Sequence, residues 1–325
     1  MIKLAFTCGD INGIGPEIII KTINTITSIS GKKIIVFIPK NVFKKTTEII
    51  KPEFEFEITN KEHIDENKKV IIFDIGNFRQ SFGKPTSDSG KAAFKSINKA
   101  LNFAKAKKVD AIITAPISKL SFNLAKINFP GHTELFAEFT RTKNFMMTFL
   151  SDKMICGLVT IHHPIKKVSK LITQKKLRQS IEILYNTLKN DLGKENPKIA
   201  VLGLNPHAGE EGLIGDEELE IIKPVIKSYS RKNVEGPFVP DAFFGLHKYE
   251  SYDAVLGMYH DQVLIPFKMM NFNFGVNYTA GLPIVRTSPD HGTAFDIAGY
   301  GIANPSSMIE AVKWAELIIR KRMKK

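Results

Sequence analysis

Short apolar runs rich in β-branched residues recur along this chain, and segments with helical periodicity lie between several of them. The runs are KIIVFIP, KVIIFDI, VDAIITAPI, MICGLVTI, KIAVLGLNP and YDAVLGMYH. Each has the length of one strand, and an uninterrupted apolar run is typical of a strand covered on both faces. Strands that alternate with helices form layered, largely parallel sheets. The chain is therefore predicted to have an α/β fold.

Three segments carry apolar residues at a spacing that places them on one face of a helix. The first segment follows two candidate caps, Ser87 and Ser89. The three sets are Ala93, Ile97, Ala100, Leu101 and Ala104; Leu177, Ile181, Leu184 and Leu188; and Met308, Val312, Ala315 and Ile319. We expect these stripes to face the core and not to belong to a site. Segment 190–198, NDLGKENPK, is the most polar gap between elements and is predicted to be a surface loop.

Composition narrows the class of protein. The 325 residues are 43% hydrophobic, which is enough for a substantial core in two packed lobes or one large unit. Cys8 and Cys156 each lie inside an apolar run, which indicates buried thiols in a reducing compartment. Asp10 and a glycine cluster interrupt the N-terminal apolar run before a signal peptide can develop, and no later run has the length of a membrane span. We expect a cytoplasmic protein that makes no membrane contact.

The chain carries a formal net charge of +13 at pH 7. Proteins that bind nucleic acids concentrate such charge on one face or along one stripe. Here the lysines are spread along the chain and mingle with Ile, Asn and Phe. We therefore expect no nucleic-acid partner, and the charge favours capture of a small phosphorylated substrate.

Gly, His, Asp and Asn concentrate where the predicted strands end, which is where α/β proteins build their sites. The first strand is followed by TCGDINGIGPE, in which Gly13 lies in a glycine-rich turn and Pro16 with Glu17 opens a helix. Its spacing is not G-x-G-x-x-G, so the dinucleotide fingerprint of Rossmann folds is absent. Taken alone, this segment is also compatible with an ordinary tight turn.

A second group of strand-end residues suits an anion. The segments ITAPISK and PGHTE offer Thr114, Lys119, His132 and Thr133 around a helix predicted to start at Thr133 or Glu134. A lysine beside the free N–H groups of a helix N-terminus can bind a phosphate or carboxylate. A single lysine after a strand is more commonly just solvated.

Three histidines follow predicted strands in similar contexts. His162 lies in TIHHP, His207 in GLNPHAGE and His260 in MYHDQ. Neutral imidazoles that leave positions open for a substrate oxygen are typical of a catalytic divalent metal site. The alternative for any one of them is a hydrogen-bonded loop histidine. His163 is expected to point away from its neighbour, and His63 and His247 receive no role.

The segment GVNYTAGLPIVRTSPDHGTAFDIAGYGIANP is denser in glycine and hydrogen-bonding groups than turns require. Its candidate residues are Asn277, Arg286, Asp290, His291, Gly292, Asp296, Gly299 and Gly301. Arg286 could bind a phosphate or carboxylate through two parallel N–H groups. The glycine-bearing turns could wrap a nucleotide.

At these motifs the chain resembles the 4-hydroxythreonine-4-phosphate dehydrogenases of pyridoxal phosphate biosynthesis. The resemblance runs from GDINGIGPE to GIANP and includes PGHTE, GLNPHAGE, MYHDQ and RTS-x-DHGTA. The tail HGTAFDIAGYGIANP is also similar to the cofactor loop of isopropylmalate and isocitrate dehydrogenases. The resemblance implies a two-lobed α/β/α layered fold of that superfamily, not a Rossmann fold. We expect a cofactor lobe formed by 1–127 with 281–325, and a metal, substrate and dimerisation lobe formed by 128–280.

The resemblance also implies roles for individual residues. A divalent ion (zinc, cobalt or magnesium) would be held by His162, His207 and His260, with His260 supplied by the other subunit of a homodimer. The substrate would be held by His132, Thr133, Lys268, Asn277 and Arg286, and the catalytic candidates are Asp241, Asp261 and Lys268. NAD or NADP would contact Gly13, Asp290, His291, Gly292, Asp296 and Gly299. The chain departs from the family pattern at GDINGIGPE, where GDPAGIGPE is usual, and at HDQVLIPFK, where HDQGLP-x-x-K is usual.

The reaction implied is the oxidation of 4-phosphooxy-L-threonine at its 3-hydroxyl to 2-amino-3-oxo-4-phosphooxybutanoate, which decarboxylates to 3-amino-2-oxopropyl phosphate. A sibling dehydrogenase acting on threonate or erythronate 4-phosphate is an open alternative. A phosphate acyltransferase of related fold is a second, although the three histidines and the tail loop argue against it. A basic binding module without catalysis would leave the polar strand ends unexplained.

Overall fold

The computed structural model describes residues 1–26, 31–62, 65, 67–229 and 233–324, so His63 lies outside the described residues. The strands are β1 (Ile2–Thr7), β2 (Lys32–Ile38), β3 (Glu57–Thr59), β4 (Val70–Asp74), β5 (Ala111–Thr114), β6 (Met146–Leu150), β7 (Cys156–Leu158), β8 (Ile199–Leu202), β9 (Val234–Phe238), β10 (Ala254–Gly257), β11 (Val276–Ala280) and β12 (Val285–Pro289). The α-helices are α1 (Gly15–Ile26), α2 (Lys40–Ile49), α3 (Ser87–Lys105), α4 (Lys119–Leu124), α5 (His132–Phe139), α6 (Ile165–Leu171), α7 (Gln174–Asn186), α8 (Lys223–Lys227), α9 (Pro240–Gly245), α10 (His260–Asn271) and α11 (Ser306–Met323). Tighter or wider helical turns cover Thr187–Asp191, Pro206–Gly212, Glu218–Ile222, Lys248–Ser251 and Phe295–Ile297.

The secondary structure follows the periodicity of the sequence. All six apolar runs contain a strand, and the three apolar stripes lie on α3, on α7 with the turn after it, and on α11. The cap of α3 differs from the prediction. Thr86 is the cap: its Oγ1 accepts from the Ser89 N–H at 3.1 Å, while the Ser89 Oγ accepts from the Thr86 N–H at 3.2 Å. Ser87 and Ser89 therefore lie inside the first turn, because Thr86 already has the extended backbone of a cap.

Unit 1 of the structure comprises Met1–Thr142 and Leu282–Ile319. Its strands lie in the order β3-β4-β2-β1-β5-β12, and every neighbouring pair is parallel. Phe37, Phe73 and Phe103 form a buried aromatic group whose ring centroids lie 4.9 to 5.4 Å apart. Parallel strands buried on both faces explain the uninterrupted apolar runs of this half of the sequence.

Unit 2 comprises Lys143–Gly281 and Arg320–Lys325. Its strands lie in the order β11-β6-β7-β10-β8-β9, in which the pairs β11/β6 and β6/β7 are antiparallel and the others are parallel. Phe149, Leu158, Val255, Leu264 and Phe267 belong to one buried cluster of this unit. Consequently β7, β10 and β8, which are neighbours, all have their carboxyl ends at the same edge of the sheet.

The division between the units differs from the expected lobes of 1–127 with 281–325 and 128–280. The boundary lies at Thr142, because α5 belongs to unit 1. The Phe136 ring of α5 lies 5.8 Å from the guanidinium carbon of Arg286 on β12, and Phe139 lines a cavity of unit 1 together with Leu101 of α3. These contacts fix α5 to unit 1. The last residues of α11, from Arg320 onward, belong to unit 2.

Both cysteines are buried and free, as predicted. Burial raises the pKa of the Cys8 thiol to about 12, so this thiol is protonated and unreactive at neutral pH. Within the described part of the chain, no helix has the length and apolar character needed to cross a bilayer.

Candidate active site

A buried arginine is the centre of a polar cluster in unit 1. Arg286 lies on β12, and only 2% of its surface is exposed. Its Nε and Nη2 atoms donate to the Oγ1 of Thr114 at 3.1 and 2.7 Å, and Thr114 is the last residue of the neighbouring strand β5. Burial lowers the pKa of Arg286 to about 9, and the charge of Glu134 acts in the opposite direction. The guanidinium is therefore held in one orientation against the end of β5.

Helix α5 supplies further side chains around this guanidinium. The Phe136 ring lies within the range at which an aromatic face attracts a cation. His132 is the first residue of α5, and its Nε2 atom is shielded from solvent with no hydrogen-bond partner among the described residues. Burial, followed by the positive charge of Arg286, holds the pKa of His132 well below its usual range. His132 is therefore a neutral imidazole at pH 7.

The structure places the residues of the anion site that was predicted at PGHTE. Helix α5 begins at His132, one or two residues earlier than predicted, because Gly131 already supplies the non-helical cap conformation. Thr133 is buried in the first turn. Lys119 is exposed at the start of α4, whereas Thr114 is engaged by Arg286. The fixed cation of this cluster is therefore the arginine, and the lysine is a solvated residue.

The glycine-rich turn after β1 contacts the tail loop that follows β12. Gly13 lies so close to this loop that an added Cβ would be 2.6 Å from the Thr293 carbonyl oxygen. The Ile14 N–H donates to the same oxygen at 3.0 Å, and the Gly299 N–H donates to the Glu17 Oε1 at 2.5 Å. Gly13 thus has a packing role in this structure, because its missing side chain lets two loops meet.

The remaining cofactor candidates lie along the tail loop. Asp290 donates its N–H to the Oγ of Ser307 in the first turn of α11 at 3.0 Å. The Nδ1 of His291 lies 3.1 Å from the Gly292 carbonyl oxygen. Gly292 and Asp296 are exposed, while Gly299 has a φ of +88° that favours glycine. The loop thus presents backbone and polar groups to solvent while both of its ends are tied to unit 1.

Two of the three candidate metal ligands lie side by side in unit 2. The ring centroids of His162 and His260 are 5.8 Å apart. Strands β7 and β10 are parallel neighbours with Leu158 opposite Gly257, so the chain leaves both strands at one edge of the sheet. Thr160 joins the segment after β7 to the segment after β10, because its N–H and its Oγ1 both donate to the Met258 carbonyl, at 3.1 and 2.7 Å.

Helix α10 places further candidates after β10. His260 is its first residue, and the His260 Nδ1 lies 2.6 Å from the Asp261 Oδ1. Such a carboxylate contact fixes the ring and leaves Nε2 for a metal ion. Lys268 lies in the last turn of α10, about two turns beyond His260. Pro266 lies inside the helix between them, where its missing N–H leaves the carbonyl four residues earlier without its usual helical donor.

The third candidate ligand occupies an unusual turn. His207 is exposed and begins a run of left-handed residues up to Glu211, with φ values between 43° and 80°. Non-glycine residues cost about 1–2 kcal/mol each in this conformation, so other contacts must hold it. The buried Glu218 accepts the Leu204 and Asn205 N–H groups at 2.6 and 2.8 Å, which anchors the start of the turn.

The expected division of the histidines between two subunits stays a prediction. We expected His162 and His207 from one chain and His260 from the other, but one chain already brings His162 and His260 together. The reason is the strand order, in which β7 lies directly beside β10. Within the described part of the chain, no group of three His, Cys, Asp or Glu side chains is arranged to hold a metal ion.

The last two candidates occupy different elements of unit 2. Asn277 lies on β11, opposite Phe149 of β6, and is partly buried. Asp241 is exposed in the first turn of α9. The roles of both residues stay predictions.

Two positioning groups were not recognised from the sequence. Gln262, two residues after His260, is buried; its Oε1 accepts from the Met258 N–H at 2.7 Å and its Nε2 donates to the Gly203 carbonyl at 2.6 Å. It ties the ends of β10 and β8 together. In unit 1, Asp10 accepts the Ser121 hydroxyl at 2.5 Å and the Ser89 hydroxyl at 3.1 Å. Their only sequence signal is a polar residue in a motif just after a strand.

Comparison with known proteins places these observations in a family. The family model described as pyridoxal phosphate biosynthetic protein PdxA matches residues 30–315. A 4-hydroxythreonine-4-phosphate dehydrogenase from Bacteroides thetaiotaomicron is 38% identical over 99% of this chain and 90% of its own length. A putative D-threonate 4-phosphate dehydrogenase from Oceanobacillus iheyensis is also 38% identical, over 96% of each chain.

Solved structures that are similar to this chain lead to the same family. The crystal structure of 4-hydroxythreonine-4-phosphate dehydrogenase from Klebsiella pneumoniae has a TM-score of 0.84 and 36% identity, covering 98% of both chains. Isocitrate dehydrogenase from Methylococcus capsulatus has a TM-score of 0.52 at 13% identity, covering 99% of this chain and 87% of that one, which is a likeness of fold alone. The predicted fold class is confirmed. The chain belongs to the PdxA family of pyridoxal phosphate biosynthetic proteins.

Proposed function

We propose that this chain catalyses the NAD- or NADP-dependent oxidation of 4-phosphooxy-L-threonine at its 3-hydroxyl. The product, 2-amino-3-oxo-4-phosphooxybutanoate, then loses CO2 to give 3-amino-2-oxopropyl phosphate. The observation that carries the proposal is the His162–His260 pair at adjacent strand ends, in a chain that aligns over 99% of its length with a dehydrogenase of this name.

We propose that the histidine pair holds a divalent ion of the zinc, cobalt or magnesium class. The donor set fits, because two imidazoles lie side by side and Asp261 orients one of them. When bound, such an ion supplies a Lewis acid that lowers the pKa of a hydroxyl group. In this proposal Asp261 is a positioning residue and not a proton carrier, which revises its expected catalytic role.

The residues of unit 1 would bind the charged and polar ends of the substrate. Arg286 is already fixed by Thr114, so its charge can bind a phosphate or carboxylate without ordering a flexible side chain. His132 is neutral, and its Nε2 is free to accept or donate one hydrogen bond to a substrate oxygen, depending on its tautomer. Thr133 follows His132 in the first turn of the same helix, so we assign it to the same group.

The chemical step removes a proton and a hydride. The hydroxyl proton would pass to a base, for which Asp241 and Lys268 are the candidates, and a bound nicotinamide would supply the acceptor for the hydride on C3. The C–O bond becomes a carbonyl, and Asn277 with Lys268 would hold the polar groups of the substrate in unit 2. Asp290, His291, Gly292, Asp296 and Gly299 are assigned to the cofactor because they lie on the tail loop. Gly13 would act indirectly, by holding that loop.

We further propose that two chains form a homodimer that completes each metal site with the partner's His207. His207 is exposed on its left-handed turn. Helix α10 carries Ile265 and Met269 on one face, its C-cap residue Phe272 continues that spacing, and the three are 60%, 82% and 80% exposed. Large apolar side chains at i, i+4 and i+7 are typical of a face covered by another helix. A two-fold contact through α10 would bury them.

The test is NADH or NADPH formation, followed by absorbance, on matched phospho-acids. We expect turnover of 4-phosphooxy-L-threonine, loss of turnover after dialysis against a chelator, and recovery on adding zinc, cobalt or magnesium. Full activity in a metal-free preparation would exclude the metal role.

A second candidate substrate is D-threonate 4-phosphate, favoured by the similarity to a putative dehydrogenase of that compound. A preference for D-threonate 4-phosphate would instead assign this chain the activity of a D-threonate 4-phosphate dehydrogenase.

Failure with every hydroxy acid would instead favour the acyltransferase alternative. That reaction makes an acyl phosphate from an acyl donor and inorganic phosphate, so its product can be measured without a nicotinamide. The two outcomes are therefore distinguishable in parallel assays.

A further inference from the structure

A cavity of about 430 Å³ lies in unit 2 beside the segment that carries His162. Three basic side chains line it: Lys143 before β6, His163 after β7, and Lys176 in the first turn of α7. None of the residues that line it is acidic. The volume is within the range of small-molecule sites, and the charge at its walls is of one sign.

The rest of the cavity wall is apolar. Phe145, Met146, Leu158 and Leu171 contribute to it, so strands β6 and β7, the residue before β6 and helix α6 supply hydrophobic surface. Methionine and phenylalanine side chains favour contact with aromatic or compact apolar groups. A fully hydrated anion would leave this surface unused, and an uncharged hydrocarbon would leave the basic groups unused.

The cavity also adjoins the chain segment that carries His162, one residue of the candidate metal pair. His162 does not line it, but the residues on both sides of His162 do, namely Ile161 and His163. Thr160, which joins β7 to the Met258 carbonyl, is part of the same wall. A molecule in the cavity would therefore contact both chain neighbours of His162.

We propose that this cavity is a second ligand site, for a small molecule that joins a phosphate or carboxylate to a compact aromatic body. The anionic group binds Lys143 and Lys176, and the aromatic body lies against Met146 and Leu158. Occupation shifts the 158–163 segment and changes turnover. The binding part stands on the cavity alone, and only the effect on turnover rests on the proposed function.

The probe is 4-bromophenyl phosphate, compared with inorganic phosphate and with 4-bromophenol. In crystals, anomalous scattering should place bromine in the cavity and the phosphate near Lys143 and Lys176. In calorimetric titrations, the double variant Lys143→Gln/Lys176→Gln should bind the probe about tenfold more weakly. Lys175→Gln is the matched control: the neighbouring lysine is exposed and does not line the cavity, so affinity should be unchanged.

Each outcome decides one part of the proposal. Bromine found only elsewhere, or equal affinity in the double variant, overturns the site. Inorganic phosphate binding as tightly as the probe, with the same lysine dependence, overturns the aromatic part. The probe should change kcat of the wild type and leave kcat of the double variant unaffected. If it binds in the cavity and kcat of the wild type does not change, the coupling to His162 is overturned while the proposed dehydrogenase activity is untouched.

Discussion

Mixing chains that each lack one imidazole reveals which subunit supplies each proposed metal ligand. The His162 and His260 rings of one chain lie 5.8 Å apart, so a homodimer would complete each site with His207 from the partner. Each single variant, His162→Ala, His207→Ala or His260→Ala, should be nearly inactive alone. The reason is that both sites of such a homodimer lack one of three ligands.

The expected recovery follows from which ligands share a chain. Random reassortment of two variants gives about half mixed dimers. When His207→Ala meets His260→Ala, one site takes His162 and His260 from the first chain and His207 from the second, so about a quarter of all sites are complete. His162→Ala with His207→Ala should recover equally. His162→Ala with His260→Ala should recover nothing, because each site takes both ligands from one chain.

The assay is NADH or NADPH formation by mixed dimers isolated with two different tags. In such isolated dimers about half of the sites should be complete for the two recovering pairs. Wild-type chains carried through the same unfolding and reassembly provide the reference. Recovery of His162→Ala with His260→Ala, but not with His207→Ala, would mean that His260 crosses the interface after all. The absence of recovery in every pair would refute a site shared between subunits.

Four further predictions concern single side chains. Arg286→Lys loses the planar contacts to a ligand, so kcat/KM should fall by roughly one to two powers of ten; an unchanged value would remove it from the site. The folded-state pKa of His132 is lowered, so the unfolded chain takes up the proton first below about pH 6.5, and stability falls by up to about 1.4 kcal/mol per pH unit. His132→Asn should reduce that slope in urea unfolding between about pH 7 and about pH 5, and an equal slope would contradict a neutral buried imidazole. Met269→Glu should shift light-scattering mass toward the monomer and lower turnover; a stable, active dimer would place the interface elsewhere. Gly13→Ala brings a Cβ to 2.6 Å from a carbonyl oxygen and should cost about 1–3 kcal/mol of unfolding free energy, whereas Gly292→Ala, with no described atom within 4 Å of its new Cβ, is the control.

The sequence alone determined the strands and helices, and it showed which polar residues follow the strands. Apolar runs predicted the strands, and stripes such as Leu177, Ile181 and Leu184 predicted buried helical faces, because both periodicities are local properties of the chain. The placement of His162 and His260 just after strands was also predictable from the sequence. Motif order was enough to identify the family.

The tertiary structure decided which of these residues are neighbours. The sequence could not reveal that His162 lies beside His260 in one chain, because the order of strands in a sheet depends on distant pairing. The same holds for Arg286, whose contacts with Thr114 and Phe136 join three separate elements.

Segment 190–198 shows the limit of reasoning from polarity. Its composition predicted a surface loop, but Asp191 is 6% exposed and binds Arg322 at 2.7 Å and the Tyr278 hydroxyl at 2.6 Å. An acidic side chain can be buried where a cation and a hydroxyl satisfy it, and burial raises the pKa of Tyr278 so that its proton stays available for that bond. The two partners lie 87 and 131 residues away, so only the folded chain brings them to Asp191.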